Sequence, residues 1–474
     1  MSLNRPTPEV EKLLDTSRMQ AWIGDGDGPI QVSWPPAEYT TAVQQVAPEW
    51  AENLGLRSKS AAIGDSTGYY DQALSINMKA GRRSSAVYEY YQPNANRANL
   101  CLITKAMAHR IVFGDNDSNG EKVATGVEFA VQGHRYTASA KREVILCAGT
   151  IQSPQILELS GIGSRSILEK HGIEVLVDNA GVGENLQDHV MSGLAYEAVS
   201  GVPTVEDLKQ PGVIDMLIGE YLKTPVGLLV NGMTSSVYMS YSDILDDKSK
   251  LKQNVDSLVP NPQSLGNMGL SKQIKIHKDR LLNPADCAVW LIPFAGGSDL
   301  SSVSQGSSAF AHPDSEHYLT FAVALTHPLS RGSSHIQSPD ATVHPTIDPR
   351  YMSHPADVHV LAQAVRMLNA KLIHTEPLAS KLTGRKQPTY QSFSPDTAED
   401  FVQKFLSTQW HILGTCSMLP REDGGVVDPK LKVYGTANLR VIDGSIIPLE
   451  VQGNIQTAVY AVAEKGADLV KATW

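Results

Sequence analysis

Strand and helix patterns alternate at both ends of this 474-residue chain, while the middle reads as a run of strands in an antiparallel style. That arrangement restricts the fold more than any other feature, because each apolar face must be buried in a layered architecture. It predicts an α/β (α+β mixed) protein: an α/β lobe of the nucleotide-binding kind, assembled from both ends, with a sheet-rich lobe inserted. The boundaries read as 1–190, 191–400 and 401–474.

The individual elements follow from periodicity and breakers. Strands are expected over 99–106 (NLCLITKA), 109–113, 122–131 and, as a hairpin-like continuation, 134–149. The run GDNDSNGE at 114–121 is a turn by composition. Short helices are expected over 153–161 and 164–172, the second stopping at Gly172, followed by a buried strand IEVLVD at 173–178. Further on, 235–241, 287–293, 318–326 and 331–337 read as strands. Residues 357–373 and 397–407 read as amphipathic helices, 438–443 as a strand and 454–470 as a closing helix.

Charge and composition remove several functions. Lys plus Arg is 40 against 50 Asp plus Glu, a net charge of −10. Nucleic acid is therefore not an expected partner, since a phosphate backbone needs a cationic surface. No run of 18 apolar residues marks a membrane span, and the opening residues carry no apolar leader core; the compartment stays open. Four cysteines without a C-x-x-C form neither a zinc ribbon nor a disulfide framework. His354 and His359 stand five apart, off a common helical face, and read as solvated or capping rather than metal-binding.

Two motifs match poorly. Gly181-Val182-Gly183-Glu184-Asn185-Leu186 lacks the third glycine of a dinucleotide turn. Gly64-Asp65-Ser66-Thr67-Gly68 has the spacing of a nucleophile elbow, but without a strand before it or a helix after it. A serine hydrolase using Ser66 remains a rival reading.

Two segments hold up better. In 147–163 a strand ends in Ala148-Gly149-Thr150, and Ser153-Pro154 reads as the cap and first residue of a helix. Near the C-terminus, His411 sits among apolar and small residues, and Asn454 directly precedes the last helix, where it reads as an N-cap. A helix start offers free N–H groups and partial positive charge to an anion.

Residues 147–163, together with 81–93, 99–113, 181–189, 326–338, 345–358, 411–418, 425–448 and 454–470 in the same order, resemble the glucose–methanol–choline (GMC) flavin oxidoreductases. The likeness spans most of the chain and is weakest over 190–320. It implies FAD as cofactor, an FAD-binding Rossmann-like lobe and a substrate lobe on an antiparallel sheet. His411 matches the histidine that accepts an alcohol proton, and Asn454 the second active-site position. Ala108, Trp410, Asp443, Gly444, Gln456 and Thr457 match cofactor-binding positions, and Ser153 to Leu157 lie in the signature near the flavin core. A histidine with a pKa near neutrality suits removal of a hydroxyl proton, and the hydride would pass to the flavin.

One departure stands out. The family's opening strand, Gly-rich turn and helix, which bind the ADP half of FAD, have no counterpart, and residues 24–29 resemble a loop that follows them. The FAD-binding lobe is thus expected to be incomplete, with FAD held weakly or not at all by this chain alone. The alternatives are a non-redox or cofactor-free protein of the same fold, cyclase-like or catalytically dead.

Overall fold

The computed structural model describes residues 2–13, 23, 28–56, 66–225, 227–230, 232–259, 268–298, 316–387 and 393–474. Most of the 24–29 loop and the first two residues of the Gly64–Gly68 motif lie outside them.

Helix α1 (Ala42–Asn53) starts at a reciprocal cap. The Gln44 N–H donates to the Thr41 hydroxyl and the Thr41 N–H to the Gln44 side chain. Strand β1 (Gly68–Asp71) follows. An antiparallel meander comes next: β2 (Ala106–Asn116), β3 (Lys122–Val131) and β4 (His134–Ser139). Strand β5 (Val144–Leu146) leads into α2 (Gly149–Leu159).

The middle of the chain supplies β6 (Val190–Ala198), β7 (Ser235–Met239), β8 (Val289–Phe294), β9 (Tyr318–Leu325), α3 (Pro355–Ala370), β10 (Leu382–Gln387), α4 (Pro395–Lys404) and β11 (Ser407–Thr408). The end supplies β12 (Leu439–Val441) and α5 (Gln456–Thr473).

Seven strands form one antiparallel sheet in the order β10-β6-β9-β8-β7-β1, with β11 beside β6. The two-residue period of a strand divides its side chains between two faces. Val237, Leu291 and Val323, paired across the strands, face a large core with Trp50, Leu361 and Val365 of α1 and α3. Tyr238, Trp290, Ala324 and Met191 form the next row and point to the opposite face. A second core joins the parallel pair β5 and β12 to α2 through Leu146, Leu157, Leu413, Val441 and Ile446.

Three sequence expectations change. Residues 99–106 are not a strand; only Ala106 enters β2. Among the described residues no neighbour takes up their ladder bonds, and Leu100, Leu102 and Ile103 stay exposed. Of 173–178 only Val177-Asp178 pairs, with Ile162-Gly163. Helix α2 begins at Gly149 rather than at Ser153, because Asp443, just after β12, accepts the Gly149 N–H at 2.9 Å and so does the capping from a distant segment. Pro154 then lies inside the helix. The carbonyl of Thr150, which a residue-154 N–H would otherwise meet, accepts the Thr415 hydroxyl at 2.5 Å instead.

Candidate active site

Residues 187–191 run antiparallel to 407–413. Val190 pairs with Thr408 and Met191 with Ser407, the Gln409 N–H donates to the His189 carbonyl at 3.0 Å, and Gln187 bridges Leu413. This register sets Asp188 and His189 beside Trp410 and His411. The Asp188 carboxylate accepts the His411 N–H at 3.0 Å, the Tyr351 hydroxyl at 2.5 Å and the Thr408 hydroxyl. Burial raises its pKa and these bonds pull it back. Trp410, with φ 57°, occupies the left-handed region, which costs a non-glycine residue about 1–3 kcal/mol. Its N–H donates to Thr408 Oγ1 at 2.7 Å, so the turn is anchored on both sides of the strained residue.

The imidazole of His411 lies parallel to the Trp290 indole, 6.4 Å between centroids at 3°. Trp290 in turn stacks on Tyr238, 5.6 Å at 19°. The sheet row Tyr238–Trp290 thus forms a floor beneath the histidine. His411 Nδ1 lies 2.8 Å from His189 Nδ1, and the His411 side chain also hydrogen-bonds Asn454. Burial pushes the His411 pKa down to about 4, with the Asn454 bond acting the other way. The ring is therefore neutral and able to accept a proton over the whole neutral range.

His411 opens on a cleft of about 1730 Å³, whose wall also includes Trp410, Asn454, Gln456, Thr457 and Tyr70. Helix α5 starts there. Its first residue follows Ile455, and no side chain caps it. Asn454, expected as the N-cap, sits one residue further out and turns to His411 instead.

Of the residues expected from sequence, His411, Asn454, Trp410, Gln456 and Thr457 line this one cleft. Ala108, on β2, packs partly buried against the second core. The Asp443 carboxylate is taken up internally by the Gly149 N–H, the Ser153 hydroxyl at 2.6 Å and the Ser445 N–H at 2.8 Å. Gly444 is buried next to it. Ser66 donates its hydroxyl to the Ala285 carbonyl at 2.7 Å. His354 caps α3 through Nδ1, and His359 meets Glu399. Asp188 and His189 are the residues sequence reasoning missed. Only their position in the 181–189 segment hinted at them.

The comparisons settle the family. The GMC oxidoreductase pattern matches residues 8–191 with its N-terminal part and 328–463 with its C-terminal part. The chain is 30% identical to the GMC oxidoreductase family protein Mala s 12 of Malassezia sympodialis, over 94% of this chain and 67% of that one. It belongs to the GMC oxidoreductase family. The dehydrogenase mpl7 of Monascus purpureus is 35% identical over 82% of this GMC chain and 63% of its own length. This chain therefore spans under two thirds of that relative. A fungal aryl-alcohol oxidase superposes with a TM-score of 0.83 at 25% identity, over 100% of this chain and 77% of that one.

FAD is the cofactor that membership of the GMC oxidoreductase family implies. The residues present fit its ring end. An uncapped helix start, the unpartnered Arg82 Nε and the unpartnered Gln409 Oε1 all belong to the cleft wall, and N–H groups at a helix start suit an electron-rich ring edge. The parallel pair β5–β12 is joined by no third strand among the described residues, and Ile145 of β5 is 42% exposed.

Proposed function

We propose that this protein oxidises the CH–OH group of a small alcohol, with His411 as the base. The observation that carries the reading is a neutral, half-buried imidazole hydrogen-bonded to Asn454 in the same cleft as an uncapped helix start.

The alcohol hydroxyl would donate to His411, which takes its proton as the O–H bond weakens. Asn454 would hold the substrate oxygen by a hydrogen bond as negative charge develops on it. The Tyr238–Trp290 floor would keep the imidazole in plane and shed water from that side. Trp410, Gln456 and Thr457 would hold the cofactor ring against the start of α5. Bound FAD supplies the acceptor for the hydride leaving the carbinol carbon.

Flat apolar alcohols suit the walls best, since Tyr70, Tyr238, Trp410, Leu229 and Met233 contribute to them. The likeness to an enzyme named for aryl alcohols supports the same class. The three-part division of the chain at about 190 and 400 is proposed on the same basis, as a substrate lobe inserted between two parts of a cofactor lobe.

The test is anaerobic reduction of the flavin-loaded protein by benzylic alcohols, followed by turnover with a dye acceptor. Bleaching of the flavin band that is slowed about 10²–10⁴-fold by His411→Gln supports the reading. Absence of alcohol-dependent bleaching would instead favour the non-redox alternative.

A further inference from the structure

The mechanism gives no part to His189, which is fully buried and 2.8 Å from His411. Its surroundings determine where its proton sits. His189 Nε2 lies 3.1 Å from the Thr326 carbonyl, which can only accept. Nε2 must therefore carry hydrogen. A neutral imidazole has a single N–H, so His189 Nδ1 presents a lone pair. The nitrogen opposite it, His411 Nδ1, must then be the donor.

The Asn454 amide, which also reaches His411, can present either its N–H or its oxygen and so fits either tautomer without setting it; the other groups around the pair leave the assignment intact. Asp188 is occupied by the His411 backbone, Tyr351 and Thr408. Glu450 has its Oε1 3.8 Å from His189 Nε2, and its buried Oε2 lacks a partner. Burial holds that carboxyl well above its ordinary range, which favours its protonated form and weakens its pull on a second proton at His189. His327 donates or accepts elsewhere, at Arg280 and the Glu450 carbonyl. The Trp290 ring sits edge-on to His189. Burial and the neighbouring His411 keep His189 uncharged as well.

We propose that His189 is a positioning residue that fixes His411 in the Nδ1–H tautomer, so that the lone pair of its Nε2 is left for the substrate proton. The inference rests on the role proposed for His411 and deepens it. Once His411 has taken the proton at Nε2, its Nδ1–H becomes a charge-assisted donor to the same His189 lone pair. One contact thus sets the tautomer beforehand and stabilises the imidazolium afterwards, while His189 itself gains and loses nothing.

The tautomer can be read without activity. In the full chain labelled with ¹⁵N-histidine, the His411 signals are assigned by their loss in His411→Gln, and long-range ¹⁵N–¹H couplings show which nitrogen carries hydrogen. The expected result is Nδ1–H in the unmodified protein. His189→Asn should keep it, because the Asn Oδ1 stands as many bonds from Cα as the imidazole Nδ1. His189→Leu, with no acceptor, should move the hydrogen to Nε2. In flavin-loaded protein His189→Leu should slow flavin reduction by about tenfold or more, within the range a positioned base supplies, with KM little changed and with recovery in His189→Asn. Nε2–H in the unmodified chain overturns the proposal, and that measurement stands even if the leucine variant does not fold. So does a leucine variant that reduces flavin at the unmodified rate while His411→Gln is slow, a result that spares the base. Fast reduction by His411→Gln would remove the base assignment itself.

Discussion

At the scale of single residues, the site depends on two side chains that no local pattern announced. Asp188 and His189 look like the polar end of a turn in sequence, and their value appears only once 187–191 is paired with 407–413. His411 and Asn454 were legible because one lies in an apolar stretch and the other at a helix start. What Asn454 does there was not: the backbone enters α5 one residue later, so its amide is free to reach His411. A pH prediction belongs here. An imidazole held at about 4 is neutral above that value and loses its lone pair only as pH falls through it. The acid limb of flavin reduction should therefore lie well below the ordinary imidazole value of about 6.5. Asn454→Ala removes the bond that favours the charged form and should move the limb lower still. Stopped-flow reduction across pH checks both, and a limb near 6.5 would count against the assignment.

At the scale of elements, periodicity served well where a strand has both neighbours. Strand β3 covers 122–131 as expected, β7 and β9 fall inside the expected runs, and β8 passes the end of its run by one residue, Phe294. It failed at 99–106, where the apolar pattern is that of a strand but no partner takes it up among the described residues. It also failed at Ser153, which lies inside the helix, where its hydroxyl donates to Asp443 and accepts the Ala148 N–H at 3.1 Å. Removing that acceptor by Asp443→Ala should cost about 1.5–3 kcal/mol, the range for a bond to a charged group, as read by urea unfolding. Helix α2 is further tied to the chain after β9 by Glu158, which is fully buried and bonds His335 Nδ1 at 2.7 Å and the Ile336 N–H at 2.8 Å. Burial alone would lower the His335 pKa, yet Glu158 and Glu184 lift it to about 9. The raised value means that this link stabilises fully below the unfolded value of about 6.5 and is lost as pH rises through about 9. His335→Leu strands a buried carboxylate and should cost about 3–5 kcal/mol at pH 7, with the difference from the unmodified protein shrinking above pH 9.

For the whole molecule, the two ends meet in the parallel pair β5–β12, and β6 to β10 of the middle join β1 and β11 from the flanking segments in the seven-stranded sheet whose far face supplies the floor of the site. Pairing of distant segments, not any local signal, creates the cleft. The buried histidines add a collective effect. His189 and His327 are held at about 3, His411 at about 4 and His277 well below the usual value, all chiefly by burial. Unfolding releases them to bind protons below about 6.5, so stability should fall with decreasing pH by up to about 1.4 kcal/mol per unit for each such proton. Thermal melts between pH 7 and 5 test this; a flat melting temperature would contradict it. The pair β5–β12, with no third strand beside it among the described residues and with Ile145 exposed, leads us to expect that this chain alone releases FAD on gel filtration. A stoichiometric flavin spectrum in the eluted protein would reverse that expectation.

The central claim is that one imidazole at the start of α5 takes the substrate proton. Its most direct test is the rate of anaerobic flavin bleaching by a benzylic alcohol in flavin-loaded protein, with and without His411→Gln. The account predicts bleaching in the unmodified protein and a loss of about 10²–10⁴-fold in the variant; equal rates in the two would contradict it.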